Sequence, residues 1–159
     1  MVPITWERKT MSDYAREFVN TYTINKTTTN YVLGFSYGAV VALITANALK
    51  PKKIYLCSLS PDFKEDVSTM SPWIRKYIGK NRLSDIQKRN AREIARKLKV
   101  QSVVFYGDAE GKLYPQLKIR CEKTVKIASR SKLVVVKDAP HKMNHHNYQE
   151  AIMSELKLV

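Results

Sequence analysis

Between Tyr31 and Leu49 an apolar run, YVLGFSYGAVVALITANAL, breaks once at Gly34-Phe35-Ser36-Tyr37-Gly38 and resumes with small residues. A plain turn has no need of a serine between two glycines. A nucleophile does, because a sharp strand-to-helix turn lifts its hydroxyl above the sheet. Side chains two residues to either side would collide in that turn, and glycine at 34 and 38 removes them. Ala39, Ala42 and Ala46 let the following helix lie close to the sheet. Its N-terminus, starting with the Tyr37 amide, then faces the negative charge that develops during acyl transfer. Ser36 is the candidate nucleophile and Tyr37 N–H a candidate oxyanion donor.

A serine hydroxyl needs a base, and the base an orienting acid. All three histidines, His141, His145 and His146, lie near the end of the chain. His141 follows the last strand pattern in Lys137-Asp138-Ala139-Pro140-His141, where a loop returns over the sheet's C-terminal edge, and is the candidate base. The spacing His141-x3-His145-His146 has no supporting Cys, Asp or Glu cluster, so no metal is expected. For the acid, Tyr106-Gly107-Asp108-Ala109-Glu110-Gly111 offers two carboxylates, Asp108 and Glu110, and the residues alone do not choose between them.

These residues need a scaffold. Tyr31–Phe35, Lys53–Leu59, Ser102–Tyr106 and Lys132–Val136 are nearly continuous β-branched and aromatic runs, as in parallel strands buried on both faces. Val2–Trp6 is a shorter fifth run beginning near Pro3, which suits a sheet edge. Helical patterns alternate with them. Thr10-Met11-Ser12-Asp13 reads as a cap before Tyr14, Phe18, Val19 and Tyr22. Tyr37–Leu49 follows the serine. Ser84 with Gln87 reads as a capping box opening a helix with Ile86, Ala91, Ile94, Ala95 and Leu98 on its apolar side. Leu117–Ala128 and Tyr148–Leu158 are the last two. Strands alternating with helices imply right-handed crossovers and an α/β three-layer sandwich around a mostly parallel sheet of about five strands. The chain is expected to form a single domain, 1–159, with 61–83 a short cap-like excursion. Within it, Phe63 and Trp73 either fill a small core or line a pocket.

Composition narrows the class. The 159 residues are 44% hydrophobic and 26% charged, as in a globular protein. No uncharged apolar run reaches the roughly 18 residues that cross a membrane. The first residues lack a signal-peptide layout, and the two cysteines read as buried thiols. Together these point to the cytoplasm and to no membrane partner. A net charge of +14 invites polyanions. Its densest run, Lys88-Arg89, Arg92 and Arg96-Lys97, lacks stacking aromatics or base-reading side chains, so no specific nucleic acid is expected.

From Val32 onward, about four-fifths of the chain, the sequence resembles the α/β-hydrolase superfamily, in particular small esterase-like members with little or no cap. The elbow around Ser36 and the late His141 carry the resemblance, in the chain order Ser36, acid, His141. Gly107-Asp108-Ala109-Glu110 is similar to the family's G-x-x-D segment, whose last position is the acid. The resemblance thus implies Glu110 as acid, with Asp108 the alternative, a serine hydrolase acting on a small ester or acyl substrate, and no cofactor. The family's oxyanion loop and the strand before it have no counterpart here, which implies an N-terminally truncated core. Val2–Trp6 would then have to pair directly with Tyr31–Phe35, and the Glu7–Met11 turn could lend a second donor. With mainly Tyr148–Leu158 to cover one face of the sheet, an apolar remainder implies either self-association as a homo-oligomer or missing N-terminal residues. The same gap motivates a second reading, a weakly active or inactive hydrolase-fold binding protein.

Overall fold

The structure, a computed structural model, describes residues 9–157. Four strands form one sheet among these residues: β1 (Tyr31–Phe35), β2 (Lys53–Cys57), β3 (Gln101–Gly107) and β4 (Ser131–Val136). All pairings are parallel and the spatial order is the sequence order. Helices α1 (Met11–Asn25) and α2 (Tyr37–Leu49) flank β1 in sequence. The segment after β2 folds as a 3₁₀ turn (Lys64–Thr69) and three short helices, α3 (Pro72–Ile78), α4 (Lys80–Ile86) and α5 (Ala91–Lys97). After β3 come α6 (Asp108–Leu113) and α7 (Pro115–Ile127), and after β4 comes α8 (His146–Lys157). The expected strand Val2–Trp6 lies outside the described residues, so the observed sheet has four strands where about five were expected.

Side chains alternate between the two faces of the sheet, as the period of a strand demands. Ile54, Leu56, Val104 and Tyr106 join one core with α1, α2, α5 and α7. Tyr55, Cys57, Val103 and Phe105 join the other, against Tyr148 and Ile152 of α8. Burial on both faces holds for β2 and β3. The outer strands are wetter: Tyr31 and Leu33 of β1 are 37% and 38% exposed, and in β4 only Val136 is buried. On the second face α8 supplies a stripe of Tyr148, Ile152 and Glu155, spaced i, i+4, i+7, with Lys132 of β4 2.5 Å from Glu155.

The first helix starts where its cap was expected. Thr10 Oγ1 accepts from Asp13 N–H at 3.3 Å, and Asp13 Oδ2 accepts from Thr10 N–H at 2.8 Å. The expected capping box at Ser84 and Gln87 is not formed. Ser84 lies inside α4, and the next helix opens at Asn90, whose Oδ1 accepts from Glu93 N–H at 2.9 Å. The reason is tertiary. Asp85 is held by Ser12 (Oγ to Oδ1, 2.6 Å) and by Arg89 (2.9 Å), so α4 ends at that anchor and a turn separates it from α5.

In the excursion, Phe63 is fully buried beneath the Arg120 guanidinium, 5.2 Å from its ring centre. Trp73 does neither thing expected of it. It is 71% exposed and stacks on Tyr77 along α3. Cys57 and Cys121 are free, buried thiols.

Candidate active site

The site lies at the C-terminal ends of the strands, and three local constraints build it. The first is the turn at Ser36, whose backbone sits at φ 54°, ψ −120°. A non-glycine residue there is strained by about 1–3 kcal/mol, so the surrounding structure must hold it. Ser36 N–H donates to Cys57 O at 2.8 Å and its carbonyl accepts from Ala39 N–H, which fixes the turn between β1, β2 and α2. A Cβ on Gly34 would fall 2.3 Å from Gly38 O, so position 34 requires glycine. Gly38 is different: a Cβ there meets nothing within 4 Å. The collision expected at both glycines exists only at the first, because the residues after Ser36 already turn outward into α2.

The second constraint brings the acid loop against the histidine loop. A Cβ on Gly107 would lie 2.0 Å from Ala139 O, so the two loops touch through bare backbone. Glu110 N–H donates to that same carbonyl at 3.2 Å. The Glu110 side chain folds back onto Gly107 N–H, which donates to Oε1 at 2.7 Å.

The third constraint orients the imidazole. His141 packs on the Phe35 ring (4.8 Å between centroids) and edge-on to Tyr114 (5.9 Å). Its Nδ1 lies 2.8 Å from Glu110 Oε2 and its Nε2 3.2 Å from Ser36 Oγ. With Nδ1–H donating to the carboxylate, Nε2 is left as acceptor for the serine hydroxyl. Residues 36, 110 and 141, far apart in sequence, are thus joined in one hydrogen-bonded chain. Tyr37 is the first residue of α2, so its amide leaves the helix at the positive end of the dipole.

Asp108 is not part of this chain. It opens α6, makes no hydrogen bond to His141, and its buried Oδ1 finds no partner. His145 and His146 stack on each other 4.6 Å apart at the start of α8.

Two further residues meet Glu110, and the sequence offered no signal for either. Ser58 directly follows β2, whereas the sequence pattern puts it inside the strand run Lys53–Leu59. Tyr148 reads from the sequence as the first residue of the last helix. Ser58 Oγ lies 2.8 and 2.9 Å from the two carboxylate oxygens, and Tyr148 OH donates to Oε1 at 2.7 Å. Glu110 is 0% exposed. Burial pushes its carboxyl up, but the bonds from His141, Tyr148, Gly107 N–H and Ser58 outweigh it and hold the group below its ordinary value. Burial, with the Glu110 charge behind it, pushes the nearby Cys57 thiol up to about 12, so that thiol is inert as a nucleophile.

An apolar hollow of about 290 Å³ opens beside the elbow, lined by Phe18, Leu33, Phe35, Gly38 and Met143 among others. No helix among the described residues is long and apolar enough to cross a membrane.

Solved structures share this arrangement of a parallel sheet flanked by helices. Est1E from Butyrivibrio proteoclasticus superposes with a TM-score of 0.73 at 17% identity, over 94% of this chain and 70% of that one. The chain has the α/β-hydrolase fold. Mouse alpha/beta hydrolase domain-containing protein 10 has a TM-score of 0.74 at 11% identity, over 95% of this chain and 70% of its own. An esterase from Exiguobacterium antarcticum, EaEST, has a TM-score of 0.64 at 14% identity, over 94% and 73%. No protein-family model and no curated protein sequence matches this chain. Within this α/β-hydrolase fold, Gly34 and Gly107 are positions where an added Cβ would strike backbone of this chain.

Proposed function

We propose that this chain is a serine hydrolase that cleaves a carboxylic ester or related acyl compound. The observation that carries the reading is the continuous hydrogen-bonded chain from Ser36 Oγ through His141 to a buried, ionised Glu110. Ser36 Oγ attacks the acyl carbon while His141 Nε2 takes its proton, and Tyr37 N–H meets the oxygen that gains negative charge. The imidazolium returns the proton to the leaving alcohol, and an acyl-Ser36 ester remains. Water attacks that ester with His141 again as base, and the acid departs as Ser36 regains its proton. Glu110 stays ionised throughout, keeps the imidazole in the required tautomer and stabilises its charged form. Asp108 has no part in this.

An ester substrate draws support from the names of the neighbours, one an esterase and another a lipase-esterase related protein, and Est1E was also solved with ferulic acid bound. The hollow beside Phe35 and Gly38 suits an apolar acyl or alcohol group, and the excursion 61–83 acts as a short cap. The half-exposed Tyr31 and Leu33 support self-association, and light scattering showing a monodisperse monomer would remove that part of the proposal.

The deciding experiment is labelling with a fluorophosphonate probe. Folded wild-type protein is expected to label, and Ser36→Ala is expected not to. A folded wild type that takes no label overturns the hydrolase and leaves the second reading, a hydrolase-fold binding protein.

A further inference from the structure

The carboxylate of Glu110 is unusually crowded with hydroxyl groups. Five hydrogen-bond contacts reach its two oxygens: Gly107 N–H, Tyr148 OH and Ser58 Oγ at Oε1, and His141 Nδ1 and Ser58 Oγ at Oε2. Ser58 and Tyr148 also touch each other, Oγ to OH at 2.7 Å. They come from different elements, Ser58 from the end of β2 and Tyr148 from the first turn of α8. Both are 0% exposed.

Two details make this more than packing. Ser58 sits at φ 53°, a left-handed conformation that asparagine or glycine would hold at less cost, and Ser58 N–H is tied to Phe105 O at 2.8 Å. That strain aims a hydroxyl at a carboxylate which backbone amide and imidazole alone would leave partly desolvated. α8, which carries Tyr148, is tied to the sheet by Asn147 Nδ2 donating to Lys137 O at 2.8 Å and by Lys132 with Glu155. A hydroxyl pair that meets at Oε1, with Ser58 also reaching the Oε2 that His141 bonds, is arranged to hold one rotamer of the acid.

We infer that Ser58 and Tyr148 are positioning residues for the Glu110–His141 pair, fixing the carboxylate in its ionised form and in the orientation that aims His141 Nε2 at Ser36. This rests on the serine-hydrolase reading above. The titratable groups facing Glu110 are His141 from the loop after β4, Tyr148 from α8, Cys57 from β2 and Cys121 from α7. Burial keeps the Tyr148 phenol and both thiols protonated, so a working carboxylate has only hydrogen-bond donors and the imidazole around it.

The test uses Tyr148→Phe, which keeps the ring, and Ser58→Gly, which removes the hydroxyl while relieving the backbone. Each is expected to lower kcat on the order of tenfold with KM nearly unchanged, the effect of losing one bond to a charged group. The acid limb of kcat/KM against pH is expected to move to higher pH in both. In ¹³C-carboxyl NMR the Glu110 titration is expected to move up as well. Variants that melt like wild type and keep its kcat, acid limb and Glu110 titration would overturn the inference, as would a loss of stability with an unmoved pH profile. Failure of the underlying reading shows separately, as wild-type protein without Ser36-dependent turnover. The Glu110 titration still judges the two hydroxyls in that case, and an unmoved titration overturns their role.

Discussion

The Cβ that Gly107 lacks would lie 2.0 Å from the carbonyl oxygen of Ala139. The loop bearing Glu110 and the loop leading to His141 therefore meet backbone to backbone, and the 2.8 Å bond between those side chains depends on that contact. Gly107→Ala must push the loops apart. A loss of about 1–3 kcal/mol is expected, the usual cost of overpacking, together with loss of probe labelling at Ser36. Thermal melting and labelling on the same sample check both.

Gly38→Ala is expected to do the opposite to stability. Nothing lies within 4 Å of the added methyl, and position 38 is in the first turn of α2. An alanine in a helix is favoured over glycine by up to ~1 kcal/mol, about 2–4 °C in Tm for a chain of this length. A melting temperature below that of wild type would contradict the geometry.

Glu110→Gln and Asp108→Asn separate the two carboxylates. Glutamine presents an amide where the imidazole needs a carboxylate, so kcat is expected to fall on the order of 10⁴-fold. Asp108→Asn is expected to stay within about threefold of wild type, since Asp108 makes no bond to His141. Equal activity of Glu110→Gln and wild type would move the acid elsewhere.

Acid stability follows from the depressed carboxyls. Burial raises Glu110 and Asp85, yet hydrogen bonds, led by His141 for the first and Arg89 for the second, bring both below their ordinary values of 4.5 and 3.8. A group depressed in the folded state stabilises it above its unfolded pKa and loses that contribution as pH falls through the folded one. Unfolding free energy is therefore expected to decline below about pH 4.5. The decline should be shallower in Glu110→Gln and in Asp85→Asn, measured by urea titration at successive pH values.

Arg120 of α7 and Asp66 of the 3₁₀ turn form a buried ion pair, with Arg120 Nε 3.1 Å from Asp66 Oδ2. Removing one partner strands the other charge, so Asp66→Ala is expected to cost about 3–5 kcal/mol. The double variant Asp66→Leu with Arg120→Met should recover most of that, because it removes both charges. Chemical denaturation of the single and double variants gives the comparison.

The parts legible in the sequence are those that local chain geometry dictates. The elbow at Ser36 is a strand run, a glycine-flanked turn and a helix in sequence contact, so its pattern survives in the string. The same holds for the Thr10 cap, and for β2 and β3, where apolar residues on both sides of the alternation betray burial on two faces. The order of elements puts His141 and the two carboxylates of 107–111 on loops after β4 and β3, while Glu110 over Asp108 comes from the resemblance alone.

What tertiary structure alone decided involves partners far apart along the chain. Residues alone left Asp108 and Glu110 open; the approach of Gly107 to Ala139, 32 positions on, puts Glu110 against His141. Ser58 and Tyr148 reach one carboxylate from 90 residues apart, and nothing near either in sequence marks it as polar and buried for a purpose. The capping box at Ser84 was locally sensible and was overridden by Ser12, 73 residues from Asp85. Local patterns encode backbone conformation because neighbouring residues share it, whereas the partner of a buried polar atom is chosen by whatever the fold brings within 3 Å.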